Sequence, residues 1–231
     1  MKLRVLPMAP FRWLQSSVRD RGVAQTTKVA LSFVADLAFD LFNGTDTLRR
    51  VDMSSLEIAS ANRAKAERYG ATKARPFEEV MTRLGLPSGS VLVDIGSGKG
   101  RVLMVGAECG LFTKVVGIEF SGELCAIART NIERFRRRHR LVPVEIVETD
   151  AVTYRFQPDQ NVFFMFDPFN DEVLAQVLDN LRASLAESPR KAWLVYHSAV
   201  HHDVIQASGV FDSCERIQIR GSDFNVYTTR P

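Results

Sequence analysis

The stretch Val91-Leu-Val-Asp-Ile-Gly-Ser-Gly-Lys-Gly100 constrains this chain more than any other. An apolar run too short for a helix, closed by an acid and clustered glycines, reads as a buried strand entering a tight loop. The next such run, Val115-Val-Gly-Ile-Glu119, also ends in an acid. Strand, glycine loop, helix, strand and terminal acid in that order describe half of a nucleotide-binding α/β sheet.

The pattern continues downstream. Val91–Asp94, Val115–Glu119, Val144–Glu148, Val162–Phe166 and Ala192–Tyr196 read as strands. Gly100–Gly110, Gly122–Arg138 and Asp171–Leu185 read as helices, with a short one over Asp203–Ser208. Arg216–Arg220 and Phe224–Thr229 alternate as arms of a hairpin turned by Gly221-Ser222. Alternating strands and helices predict a doubly wound α/β fold, its sheet mostly parallel with an antiparallel last strand.

Upstream, Thr26–Phe42 carries Val29, Ala30, Phe33, Val34, Leu37, Ala38 and Leu41 at helical spacing, forming one apolar face. Asn43-Gly44 ends that helix, and Gly44-Thr-Asp-Thr47 is a turn. Residues 54–68 read as a second helix, broken by Tyr69-Gly-Ala-Thr72, and Pro76–Leu84 as a third. These features divide the chain into a basic, helical extension (1–68) and an α/β domain (69–231).

A formal net charge of +3 is too small to argue for nucleic-acid binding. Cys109, Cys125 and Cys214 form no CxxC pair, which points to a reducing compartment and no structural zinc. No apolar run reaches the roughly 18 residues of a membrane span. Pro7, Pro10 and Arg12 interrupt any secretory signal. The first 35 residues hold six Lys/Arg and only Asp20 as an acid, which leaves a targeting or surface-docking segment open beside a plain basic one.

Three nucleotide loops compete for residues 94–100. A Walker A loop fails because Gly100 stands where the magnesium-binding hydroxyl belongs and Val93 where its first glycine belongs. The dinucleotide fingerprint has Gly96 and Gly98, but Arg101 fills its third, small position. Asp94-x-Gly-x-Gly-x-Gly100 suits a ligand with a charged amino-acid tail. Glycines admit the tail, carboxylates meet its ammonium and a helix N-terminus meets its carboxylate.

On these residues the chain resembles the class I S-adenosylmethionine-dependent methyltransferases over about residues 69–231. The resemblance implies a seven-stranded Rossmann-like sheet, S-adenosyl-L-methionine as cofactor and methylation as the reaction. It makes Asp94, Gly96, Ser97, Gly98 and Gly100 the first cofactor motif. Glu119, with Phe120 beside it, is the ribose acid, and Asp150-Ala151 the adenine side. Asp167-Pro168-Phe169-Asn170 is similar to the Asn/Asp-Pro-Pro-aromatic motif of amino-group enzymes, with one proline and its aromatic one place early. Asp167, Pro168, Phe169 and Tyr196 are thereby the catalytic candidates, Asp167 also touching the methyl donor. Tyr69-Gly-Ala-Thr72 is similar to the lead-in of Dot1-like and mitochondrial protein-lysine methyltransferases, making Tyr69 and Thr72 cofactor neighbours. The motif set also resembles bacterial methyltransferases without assigned substrates, which implies a cytoplasmic enzyme.

Methyl transfer needs no metal, and none is expected at His201-His202-Asp203, which reads as a polar loop. The basic run Arg134–Arg140 reads as a solvated helix end or a contact for phosphate or an acidic protein. Phe163, Phe164 and Phe166 read as sheet core. The preferred acceptor is a nitrogen such as a protein lysine amine, with a small-molecule oxygen or nitrogen as alternative. An NAD-linked oxidoreductase and a non-catalytic binding module are the more distant readings.

Overall fold

The structure is a computed structural model, described for residues 31, 34–49 and 70–230. Seven strands form one sheet: β1 (Val91–Ile95), β2 (Lys114–Glu119), β3 (Val144–Glu148), β4 (Val162–Met165), β5 (Trp193–His197), β6 (Ser213–Ile219) and β7 (Ser222–Thr228). Their order is β3-β2-β1-β4-β5-β7-β6. The first five are mutually parallel, and β7 runs antiparallel to both β5 and β6. The central strands β1, β4 and β5 are buried throughout, which is why they read as unbroken apolar runs.

Helix α1 covers 34–43. It is followed by α2 (Ala74–Arg83), α3 (Arg101–Glu108), α4 (Gly122–Arg136), α5 (Asp171–Glu187) and α6 (His202–Ser208). Strand alternation separates two cores. Leu92, Val115 and Phe164 face α2, α3 and α4. Val93, Val116 and Phe163 face α5 and α6. Chain order reverses between β1 and β4, so a crevice opens there at the strands' carboxyl ends.

Two expectations about the terminal hairpin need correction. The hairpin turn is Arg220-Gly221, both at positive φ, and Ser222 pairs with Ile219. A two-residue turn of this hand needs left-handed backbone at both central positions, and Gly221 serves as the second. Strand β6 also starts at Ser213, before the expected Arg216, because its exposed first residues carry no apolar alternation.

The direction of the apolar face of α1, which its spacing left open, is settled by the structure. The described part of α1 is helical as expected, but its charged side faces inward. Buried Arg101 donates to Asp36 at 2.6 Å and to Thr47 Oγ1 at 2.7 Å, and reaches Asp40 at 3.5 Å. Asp40 also accepts from the Thr45 hydroxyl, the Thr47 hydroxyl and the backbone N–H groups of Thr47 and Leu48. The Gly44–Thr47 turn is thus folded around one carboxylate. Burial pushes the Asp40 carboxyl up, but these hydrogen bonds outweigh it and hold the group below 3.8. The expected helix 54–68 and Tyr69 lie outside the described residues, as does the boundary at 68/69.

The basic run at the end of α4 ends α1. Arg134 donates to Gly44 O at 3.0 Å, and Arg138 donates to Phe42 O. His139 lies between Glu108 and Asn43, and Phe135 stacks on Phe39. Cations here complement the carbonyl end of α1. Among the described residues no helix is long and apolar enough to cross a membrane.

Candidate functional site

The carboxyl ends of β1, β2, β3 and β4 surround an open cleft. Its floor is the loop after β1. Gly96 and Ser97 donate their N–H groups to Ile118 O at 2.9 and 3.0 Å, curling the loop over the tip of β2. A Cβ on Gly96 would lie 2.5 Å from Pro168 Cβ, and its φ of +80° already favours glycine. Gly100 caps α3 and turns away from the cleft, where a Cβ would meet Ala128 at 3.1 Å. It therefore packs α3 on α4 and is absent from the cleft wall formed by Gly96, Ser97 and Gly98.

Glu119 ends β2 and is buried. Its two oxygens accept from Gly98 N at 2.9 Å and Ser121 N at 3.0 Å. Burial raises its pKa, against those backbone bonds. Asp94 is equally buried but has no side-chain hydrogen bond among the described residues. Burial pushes it well above 3.8, and the charge of Glu119 adds to the push. Ser97 Oγ is buried without a partner. An uncompensated carboxyl and an orphaned hydroxyl in one cleft fit a ligand that brings a cation and polar groups.

Asp150 follows β3. Its side chain accepts from Val152 N at 3.1 Å, capping a 3₁₀ turn, and Asp150, Ala151 and Phe120 all line the cleft. Buried Thr72 lines it as well. Asp167 follows β4 with φ at +41°, a strained backbone for a residue other than glycine. Tyr196 donates its hydroxyl to Asp167 Oδ1 at 2.5 Å. Pro168 and Phe169 complete that wall.

Tyr196 itself does not line the cleft. It is buried beneath Asp167, and burial, then the Asp167 carboxylate, push its hydroxyl upward, making it a donor rather than a base. His197 is stacked between Phe166 and Phe224, with Nδ1 buried and unpartnered. Burial lowers it to about 4, so the ring is neutral. His202 Nδ1 sits 2.6 Å from the Tyr227 hydroxyl.

Several wall residues escaped the sequence reading. Phe166 was read as core yet faces the cleft. Arg101, read only as a misfit in a dinucleotide fingerprint, lines the cleft and grips α1. Asp36 and Asp40 lie one helical turn apart on α1, but nothing in the sequence pairs them with Arg101. Gly117 in β2, behind the cleft wall, was also missed, although a Cβ there would lie 2.6 Å from Leu103 Cδ1 and 2.7 Å from Ser97 Oγ.

The model of the family described as "Histone methylation protein DOT1" matches residues 49–167. No curated protein matches the sequence. The fold is similar to that of a putative S-adenosyl-L-methionine-dependent methyltransferase from Methanococcus maripaludis, with TM-score 0.52 and 16% identity over 68% of this chain and 86% of that one. It is similar to a SAM dependent methyltransferase from Aquifex aeolicus, with TM-score 0.51 and 18% identity over 66% and 88%. It is also similar to the ribosomal protein L11 methylase of Lactobacillus delbrueckii subsp. bulgaricus, with TM-score 0.51 and 12% identity over 70% and 81%. At such identities these likenesses speak for the fold. The family match spans just over half of the chain and takes in Asp94, the glycine loop, Glu119, Asp150 and Asp167, so this chain belongs to the DOT1 histone methylation family and is a class I S-adenosylmethionine-dependent methyltransferase.

Proposed function

We propose that this protein transfers the methyl group to a nitrogen acceptor, a protein lysine amine in first place, at the cleft beside Asp167. The carrying observation is the convergence of Asp94, Glu119 and Asp150, from three adjacent strand ends, on the cleft that Asp167 borders. In this reading Glu119 accepts from both ribose hydroxyls on lone pairs that Gly98 and Ser121 leave free. Asp94 meets the ammonium of the amino-acid tail, which removes the cost of an unpaired buried carboxylate. Gly96, Ser97 and Gly98 bring backbone and one hydroxyl to the tail, and Gly100 supports that loop from behind. Asp150, Ala151 and Phe120 flank the adenine, and Thr72, with Tyr69, the methionine side.

The bound cofactor supplies a sulfonium methyl and its leaving group. The protein supplies alignment. Tyr196 holds one oxygen of Asp167, and the other accepts the N–H of an incoming amine, aiming its lone pair at the methyl. Pro168 and Phe169 exclude water. The single proline and early aromatic of this turn depart from the amino-group motif, and a small-molecule oxygen or nitrogen acceptor is the alternative. In either case residues 69–231 are the catalytic unit and 1–68 its extension. Three unpaired thiols suit a cytoplasmic setting.

Calorimetric titration with S-adenosylhomocysteine, beside NAD, tests the site. Glu119→Gln keeps the shape but loses charge and an acceptor, and should weaken binding roughly tenfold or more. Unchanged affinity would remove Glu119 from the ribose position. Labelled-methyl transfer to lysine-bearing proteins, compared with the small-molecule fraction of a cell extract, separates the two acceptors.

A further inference from the structure

The helix α1 is inside out. Asp36, Asp40 and Asn43 are bonded on its inner side, and Phe39 stacks on Phe135. Of the six large apolar side chains exposed among the described residues, Val34, Leu37, Leu41 and Phe42 lie on α1 and Leu31 precedes it, at 41–73% exposure. The outward side from 34 to 42 carries no charge. The helix cannot roll to bury these groups, because Arg101 and the Gly44–Thr47 turn pin both acids. An apolar helix face locked toward solvent is a surface built to be covered.

Its margin is basic. Arg134 and Arg138 bond the end of α1, and the Arg138 guanidinium lies over the Phe42 ring at 5.3 Å. Arg136, Arg137 and Arg140 are exposed beside them, against Glu133 as the one acid between 133 and 140. We propose that this face docks on an anionic lipid bilayer, the aliphatic row of α1 entering the acyl boundary while the arginines of the α4 end meet the headgroups. Apolar area and cationic margin together are what interfacial helices use. Charge complementarity selects this occupant. A second copy would add a second set of the same arginines to the rim of the face and no acidic counterpart, whereas an anionic surface complements them. The chain's own first 30 residues carry six Lys/Arg against Asp20 and would add like charge.

The test is flotation of the full-length protein with vesicles of phosphatidylcholine containing about a quarter phosphatidylglycerol, beside pure phosphatidylcholine, with light scattering of the free protein. The expected result is a monomer that floats with the anionic vesicles and is released in about 1 M salt, where the Debye length falls to roughly 3 Å. Leu37→Asp/Leu41→Asp should lower the bound fraction at least about tenfold, and Arg136→Glu/Arg137→Glu should abolish the preference for anionic lipid. Both pairs are exposed, so melting curves should stay near wild type. If the aspartate pair fails to fold, Leu37→Ser/Leu41→Ser carries the same comparison. No flotation overturns the proposal, as does flotation indifferent to the leucines or equal on neutral vesicles. A dimer dissolved by the leucine substitutions, without vesicle binding, assigns the face to a second copy instead.

Discussion

Asp94 shows how burial turns a side chain into a ligand-seeking group. Raised well above 3.8 by burial and then by Glu119, it favours the fold while protonated, and that contribution is lost as pH rises through its folded value. A cationic tail reverses the balance. Affinity for S-adenosylhomocysteine should therefore climb as pH rises through the displaced titration of Asp94, with a proton released on binding. Calorimetry in buffers of different ionisation enthalpy reads that proton, and Asp94→Asn should erase it. Tyr196 shows what sequence position alone conceals. Every residue of β5 is buried, so a strand-tip location does not say which face a side chain takes. As a positioning residue for Asp167, its Tyr196→Phe variant should slow labelled-methyl incorporation roughly tenfold and leave S-adenosylhomocysteine affinity nearly unchanged. A matching loss of affinity would mean that Tyr196 shapes the cofactor pocket instead.

At the scale of elements, the glycine loop is gripped from two sides. Lys99 and Arg101 flank Gly100, and both are buried. Lys99 reaches Asp46 at 3.2 Å and Arg49 O at 2.6 Å, while Arg101 holds Asp36 and Asp40. Arg101→Ala leaves two nearly buried carboxylates without their cation and should cost about 3 kcal/mol, read as a lower urea midpoint. The hydrogen bonds that depress Asp40 contribute stability above 3.8, lost as pH falls through its folded value. The helical period of α1 was legible, but a period reports that an apolar face exists, not what it faces. Arg101 and Asp36 stand 65 positions apart, and no local pattern pairs them. The hairpin slipped by one residue for a related reason. Gly221 marks a turn without saying whether it is the first or second central residue.

The whole molecule is an open sheet whose order reverses between β1 and β4, and that reversal makes the cleft. Alternating strands and helices, with acids closing the first two strands and just following the next two, were readable in the chain. By itself the sequence determined the parallel sheet, the glycine loop and the acids near its edge, because strand period, turn chemistry and chain direction are local properties. Only the tertiary structure decided that Gly100 turns from the cleft, that Tyr196 lies beneath Asp167 and that α1 shows its apolar side to solvent. Each of those depends on which distant group reaches a buried charge or a closely packed backbone first, and such competition is resolved in three dimensions.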